Sequence, residues 1–240
     1  MKRLLLFCAV AALLAGTSCS EQETLDTGTP VRLRIAGIGA ESRAATHYAA
    51  DDYFGIPGLG EASVTVKART ATYAYADNAL AGATQDDVLY FPVDGSTLSA
   101  VRVSWPTEAV RQAQGETLAK DQQTKEVFLA ADWLSAELKN VAPAQAIPLT
   151  LEHERPKLTF TLVGTMSGSK ITSLSIAGYD AYCDTQTGNG ELIMLPGNTE
   201  IGPEAIGTVT IGGQDRPRNF VIKTMPTLTA GQNHTIEIDF

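Results

Sequence analysis

The sequence predicts a mostly β protein of the β-sandwich type with one short helix. Three observations carry that expectation. Stretches of alternating apolar and polar residues recur along the chain, and a period of two is that of a strand with one face buried and one wet. Turn-forming residues separate these stretches at roughly 8–12-residue intervals, the spacing of sandwich strands. One segment, Val127 to Leu138, instead sets Phe128, Ala131, Leu134 and Leu138 near one face at helical spacing.

Taken in order, Lys2 and Arg3 precede an uncharged apolar stretch from Leu4 to Gly16. It is too short to span a bilayer and has the size of a signal-peptide core, so residues 1–18 read as a signal peptide. The small residues Gly16-Thr17-Ser18 before Cys19 resemble a lipobox, which makes Cys19 the expected lipidation site. An acyl chain there anchors the protein to a leaflet without making it integral. Residues 19–30 are polar and read as a tether. From Val31 to Ile38 the alternation is clean: Val31, Leu33 and Ile35 are apolar, and Arg32 and Arg34 lie between them. Gly37 and Gly39 end this strand, and Ser42-Arg43-Ala44-Ala45 follows as a small-residue linker.

Strand signals resume at Ala62, with Val64 and Val66 alternating and Thr72, Tyr73 and Tyr75 as β-formers. Val88 to Phe91, the turn dipeptide Asp94-Gly95 and Leu98 to Trp105 together predict a hairpin. Residues 107–126 read as a loop. After the helical segment, Ile147 to Leu151 and Leu158 to Val163 read as a strand pair around Glu152-His153-Glu154-Arg155-Pro156. Pro156 denies a ladder donor and restricts the residue before it, so a domain boundary is expected there, dividing 31–152 from 153–240. Further strands are expected at Ile171 to Ile176, Ala181 to Cys183, Glu191 to Leu195, Thr208 to Ile211, Asn219 to Lys223 and His234 to Phe240.

Composition narrows the function. The 240 residues are 44% hydrophobic and 19% charged, the balance of a folded globular chain. The net charge is −9 and no basic cluster is present, which argues against nucleic acid as a partner. Three cysteines cannot build a disulfide framework, and Cys183 reads as a buried free thiol. No G-x-S-x-G, H-E-x-x-H or complete phosphate loop occurs. His47, His153 and His234 have no His or Cys partner at metal-ligand spacing, so neither metal nor other cofactor is expected, and no enzyme. Glu152 and Glu154 flank His153, but neighbours in a strand point to opposite faces. Asp51-Asp52 and Asp86-Asp87 read as surface-loop acids, and Trp133 as core rather than as half of a sugar platform with Trp105.

The middle of the chain carries a family resemblance. Val88-Leu89-Tyr90-Phe91-Pro92-Val93-Asp94-Gly95, then Asp121-Gln122-Gln123-Thr124 before the Phe128 segment, then Ile147 to His153 running into Lys157 to Leu162, and finally Leu228 to His234 before the last strand, resemble the block order of Bacteroidales fimbrillin-like proteins. The acidic start Ser20-Glu21-Gln22-Glu23 resembles the surface-export signal of lipoproteins from the same order. The resemblance implies two tandem transthyretin-like β-sandwich domains in a subunit or accessory component of a cell-surface fimbria, carried to the outer membrane through its lipid anchor. It implies an Arg-specific protease that cuts after an Arg following the first strand, which places processing at Arg43 and Ala44 and makes 31–43 a removable strand. Other fimbrial subunits are then the partners, one of them filling the vacated groove. Val31, Leu33 and Ile35 would leave that groove, and Ile236, Ile238 and Phe240 of the C-terminal strand repeat their period, which makes them the candidate donor. The alternative is a monomeric surface lipoprotein that binds carbohydrate, for which the 7% of aromatic residues is a thin supply.

Overall fold

The structure is a computed structural model and describes residues 28–39, 48–115 and 117–240. Seven strands build its first half: β1 (Leu33–Ile38), β2 (Glu61–Val66), β3 (Arg69–Ala76), β4 (Ala79–Gly82), β5 (Leu98–Trp105), β6 (Leu134–Val141) and β7 (Ile147–His153). They close in the order β1-β4-β3-β2-β5-β6-β7, because β1 bonds to β4 on one edge and to β7 on the other. This half is therefore a closed barrel where a two-sheet sandwich was expected. Eight strands build the second half: β8 (Lys157–Leu162), β9 (Ile171–Ile176), β10 (Tyr179–Asp180), β11 (Tyr182–Cys183), β12 (Gly190–Ile193), β13 (Ile206–Ile211), β14 (Arg218–Val221) and β15 (Asn233–Ile238). They form two four-stranded sheets, β10-β9-β13-β14 and β11-β12-β8-β15, over one apolar core.

Local chemistry explains the tight turns. Asp77 and Asn78 both adopt positive φ between β3 and β4, the backbone of a two-residue hairpin turn whose twist matches its strands. Three helices, α1 (Ala50–Phe54), α2 (Glu108–Gln114) and α3 (Lys125–Ala130), occur among the described residues where one was expected. Residues 107–126 are thus not wholly a loop. Thr107 caps α2 through its hydroxyl, which accepts from the Val110 amide at 3.4 Å, and Gly115 at φ +63° ends it.

Two expectations fail for the same reason. The helix predicted over Val127 to Leu138 stops at Ala130, and Leu134 opens β6 instead, which pairs along β5 from Trp105–Leu134 to Leu98–Val141. Ala136, Leu138 and Lys139 favour helix intrinsically, but propensity differences of tenths of a kcal/mol per residue yield to a strand position between two partners. Val88 to Phe91 does alternate, with Leu89 and Phe91 buried, yet it does not fold back on β5. It bonds to the approach to β1: Val31 donates to the Leu89 carbonyl at 2.7 Å and Phe91 to that of Thr29 at 2.8 Å. Strand partners are chosen by the whole sheet, not by the nearest turn. The strand expected at Ala181 to Cys183 is present as β11, Tyr182–Cys183, and the preceding Tyr179–Asp180 forms β10 in the other sheet.

The halves meet through buried polar groups. The side-chain amide of Gln122 brackets Ile193, donating to its carbonyl and accepting from its amide, both at 2.9 Å. The backbone of 120–122 lies along Asp180, with Gln122 donating to the Asp180 carbonyl and Asp180 to that of Lys120, both at 2.8 Å. Lys157 and Glu191 form a 2.9 Å ion pair with side chains 3% and 4% exposed, and Tyr48 of the first half donates to the other Glu191 oxygen at 3.2 Å. Burial, and after it the Glu191 charge, pushes the Tyr48 phenol far above its ordinary value, so it stays a donor.

An ion pair this deep is stable only while both charges are present. Lys157→Met should lower the stability of the full chain by about 3–5 kcal/mol, the usual cost of stranding one charge of a buried pair. Adding Glu191→Leu should recover most of that loss. Urea unfolding of the two variants against the parent measures both effects.

Candidate functional site

Of the residues singled out for strand exchange, Leu33 and Ile35 lie in β1 and Val31 on the approach to it. Val31, Leu33 and Ile35 are 1%, 0% and 7% exposed and point into the barrel, while Arg32 and Arg34 point to solvent. The strand is bonded along both edges. On the β4 side Leu33 stands opposite Leu80, and Ile35 donates to the Asn78 carbonyl at 2.8 Å. On the β7 side the pairing is parallel, from Leu33–Ile147 through Ile35–Leu149 to Ile38–Leu151. Ile147 donates to the Arg32 carbonyl at 2.9 Å at one end, and Gly39 to the Leu151 carbonyl at 2.7 Å at the other. A register irregularity falls between Ile35 and Gly37.

Below β1 lies Tyr73, wholly buried, whose hydroxyl donates to the Val31 carbonyl at 3.1 Å and accepts from the Leu89 amide at 3.2 Å. Burial pushes this phenol up to about 12, against a smaller opposing effect of the Leu89 amide. The slot that holds β1 therefore has apolar walls in Leu80, Ile147, Leu149 and Leu151, backbone donors and acceptors on both rims and one fixed hydroxyl at its floor. The three inward side chains contribute about 1.5–3 kcal/mol each by burial.

The chain beyond the linker is tied down on its own. In α1, Asp52 pairs with Lys125 at 2.6 Å, Tyr53 donates to Asp132 at 3.1 Å, and Asp51 accepts from Tyr75 at 2.6 Å. Phe54 stacks on Tyr75 with ring centres 4.5 Å apart. Asp51 and Asp52 thus serve α1 and its neighbours. Asp87 likewise serves the turn at Thr84, with its carboxyl held below the usual range by the Thr84 hydroxyl and then the Thr72 amide. Cys19, Arg43, Ala44 and His47 lie outside the described residues.

The C-terminal strand is placed elsewhere. Ile236 and Ile238, 5% and 1% exposed, belong to the second core, where β15 runs parallel to β8 from Asn233–Lys157 to Ile238–Leu162. Phe240 is 44% exposed and lies under the Arg218 guanidinium.

The remaining chemistry-bearing residues fall to structural roles. His153 faces inward and its Nδ1 lies 2.6 Å from Asp132, whereas Glu152 is exposed and Glu154 pairs with Arg111 at 2.8 Å, so the trio does not converge. His234 accepts from the Thr229 amide at 3.3 Å. Burial pushes the Cys183 thiol up to about 11, which keeps it protonated and a poor nucleophile at neutral pH. Trp105 is sealed in the barrel with its indole N–H on the Leu59 carbonyl at 2.8 Å. Trp133 is half-buried between the Arg155 and Arg111 guanidinium groups, 3.9 and 4.8 Å from its ring, rather than on an apolar helix face. Neither indole offers a sugar platform. Among the described residues no group of His, Cys, Asp and Glu could hold a metal ion, and no helix is long and apolar enough to cross a membrane.

No protein-family description matches the sequence, and no curated protein does. Solved structures do match the fold. A putative cell adhesion protein from Bacteroides ovatus is similar at TM-score 0.59 and 13% identity, over 89% of this chain and 92% of that one. A fimbrial protein from Bacteroides ovatus is similar at TM-score 0.54 and 8% identity, over 88% of this chain and 49% of that one. The chain therefore spans about half the length of that fimbrial protein.

If β1 is the element that closes the barrel, truncating its central side chain should weaken the first half directly. Leu33→Ala is expected to lower stability by about 2–5 kcal/mol, the range for a fully buried leucine. Arg34→Ala, on the exposed face, should change it by less than about 0.5 kcal/mol. Denaturant midpoints of the two variants test the contrast.

Proposed function

We propose that the chain is a fimbrillin-like subunit or accessory component of a cell-surface fimbria and contributes to adhesion. In this reading it is exported as a lipoprotein anchored to the outer membrane through Cys19, and an Arg-specific protease cuts it between Arg43 and Ala44. Other fimbrial subunits then join it by refilling the slot of β1. The two halves are its domains, 31–152 and 153–240, of the transthyretin-like type.

The observation that supports this best is the position of β1. It is the first described strand, it is bonded on both edges, and it ends at Ile38, while the next described segment, from Tyr48, has its own polar attachments. Arg43 lies between these two attachments. A cut there severs the covalent hold on β1 without touching the hydrogen bonds and ion pairs that fix α1. The fold shared with fimbrial and cell adhesion proteins supports the same assignment.

The donor is the part where packing matters most. Moving β15 into a neighbour's slot would uncover Ile236 and Ile238 in its own domain and leave β8 with a bare edge. We therefore take β15 as a fixed strand, with the incoming strand supplied by another segment of a neighbouring subunit. Truncation after Gln232 separates the possibilities: a fixed β15 predicts a destabilised second half, visible as a lower unfolding midpoint, whereas a donor β15 predicts a stable monomer that is processed but does not extend.

Processing is tested directly. The precursor treated with an Arg-specific protease should lose the segment before Ala44 and form ladders on a denaturing gel. Arg43→Ala should stay intact and monomeric with an unchanged fold. Polymers of the Arg43→Ala protein would refute the cleavage step.

A further inference from the structure

Both ends of the described chain finish in strands that are paired in parallel, and the partners of those strands are consecutive. β1 lies parallel to β7, β15 lies parallel to β8, and only Glu154, Arg155 and Pro156 separate β7 from β8. From this we infer that the chain is built to bear tension between its two ends, along a path from β1 through β7, residues 154–156 and β8 to β15.

The directions follow from the pairing. A pull on the N-terminal side of β1 acts at its Leu33 end, which stands beside Ile147, the first residue of β7. The opposing force reaches β7 from its far end, through His153 and the connection to β8. The two strands are thus drawn past each other along their common axis. The bonds between them, from Ile147 on the Arg32 carbonyl to Gly39 on that of Leu151, lie across the pull and share it. The second half repeats the arrangement. Force enters β8 at Lys157 and leaves β15 beyond Ile238, at opposite ends of a parallel pair. Lys157 donates to the Gln232 carbonyl at 2.9 Å at one end, and Val163 to that of Ile238 at 3.0 Å at the other. Shear requires many bonds to fail together, whereas peeling from one end breaks them one at a time. An antiparallel terminal strand loaded in the same way would peel.

The connection itself is braced. Glu154 donates from its amide to the Trp133 carbonyl at 2.8 Å and holds Arg111 through its carboxylate. Arg155 donates to the Ala131 carbonyl at 2.7 Å and stacks on Trp133. Pro156 accepts from the Met194 amide at 2.9 Å, and the next residue, Lys157, carries the buried pair with Glu191. The stretch that takes the whole load is therefore fastened to both halves. The use of this path in a fibre rests on the subunit reading above. A strand seated in the direction of β1, with its own subunit at its leading end, would load β7 in the same way.

Single-molecule pulling on the full chain tests the path by changing only where force is applied. Handles at the two termini load both parallel pairs in shear. Handles at the N-terminus and at a site inserted after the exposed Gln145 peel β1 from β7, because both then pull at the Leu33–Ile147 end. Handles at a site inserted after the exposed Ser167 and at the C-terminus peel β15 from β8. The rupture force between the termini should exceed either peeling force severalfold, since forced unfolding follows the barrier along the pulled direction. Urea midpoints equal to that of the parent show that the inserted sites leave the fold unchanged. A rupture force between the termini no higher than the lower peeling force would overturn the inference. The measurement needs neither cleavage nor polymer, so its failure leaves the subunit reading standing, and failed processing of the precursor leaves the tension path standing.

Discussion

A β-barrel closes only if the strands at its two edges are joined, and here the piece that makes closure possible is β1, antiparallel to β4 and parallel to β7. It satisfies the open edge of β4 on one side and that of β7 on the other, and it buries Val31, Leu33 and Ile35 in the same move. Unpaired edges invite other strands, and closure removes them. The first half is therefore stable with β1 in place and, without it, exposes a slot of defined length, direction and side-chain period. The fully buried Tyr73 adds one polar fixture at the bottom of that slot, holding the Val31 carbonyl in line with Leu89.

The segment that follows in the described chain has polar attachments of its own. The α1 segment is fastened by an ion pair, two phenol–carboxylate hydrogen bonds and an aromatic stack, none of which involves β1. Tyr48 and the 120–122 backbone reach across to the second half, and Gln122 substitutes its side-chain amide for a neighbouring strand at Ile193. Buried groups of this kind contribute little net stability but cannot be exchanged for other partners without cost, which fixes one arrangement of the halves. The acidic and aromatic residues that a search for chemistry picks out first, Asp51, Asp52, Asp87, His153 and Trp105, turn out to be the fastenings.

Much of this was legible in the chain. The alternation of Val31, Leu33 and Ile35 identified an amphipathic strand, and its inward face is the apolar one. Ile171–Ile176 has the bounds expected of it, and the strands β7, β8, β13, β14 and β15 fall within a few residues of theirs. The readings that failed were those of 88–91, 107–126 and 127–138. In the first and last, a local signal was real but was outranked by a partner far away in sequence, the approach to β1 for Leu89 and β5 for Leu134, whereas in 107–126 the helix α2 is set by the local cap at Thr107. Nothing local to Tyr48, Gln122 or Asp132 marked them as fastenings, because their partners lie 143, 71 and 21 residues away.

The sequence by itself determined the secondary-structure class, the faces of the long strands, the acidic surface without a basic patch and the lack of any recognisable catalytic motif. These follow from residue order and composition, since side-chain period and charge are local properties. Only the tertiary structure decided that the first half closes as a barrel, that β1 lies parallel to β7 and β15 parallel to β8, and that the two halves are joined through Tyr48 on Glu191 and Gln122 on Ile193. Strand direction and partner choice are set by which apolar faces can be buried together and which edges remain to be satisfied, and that is a property of the assembled sheets rather than of any single stretch of chain.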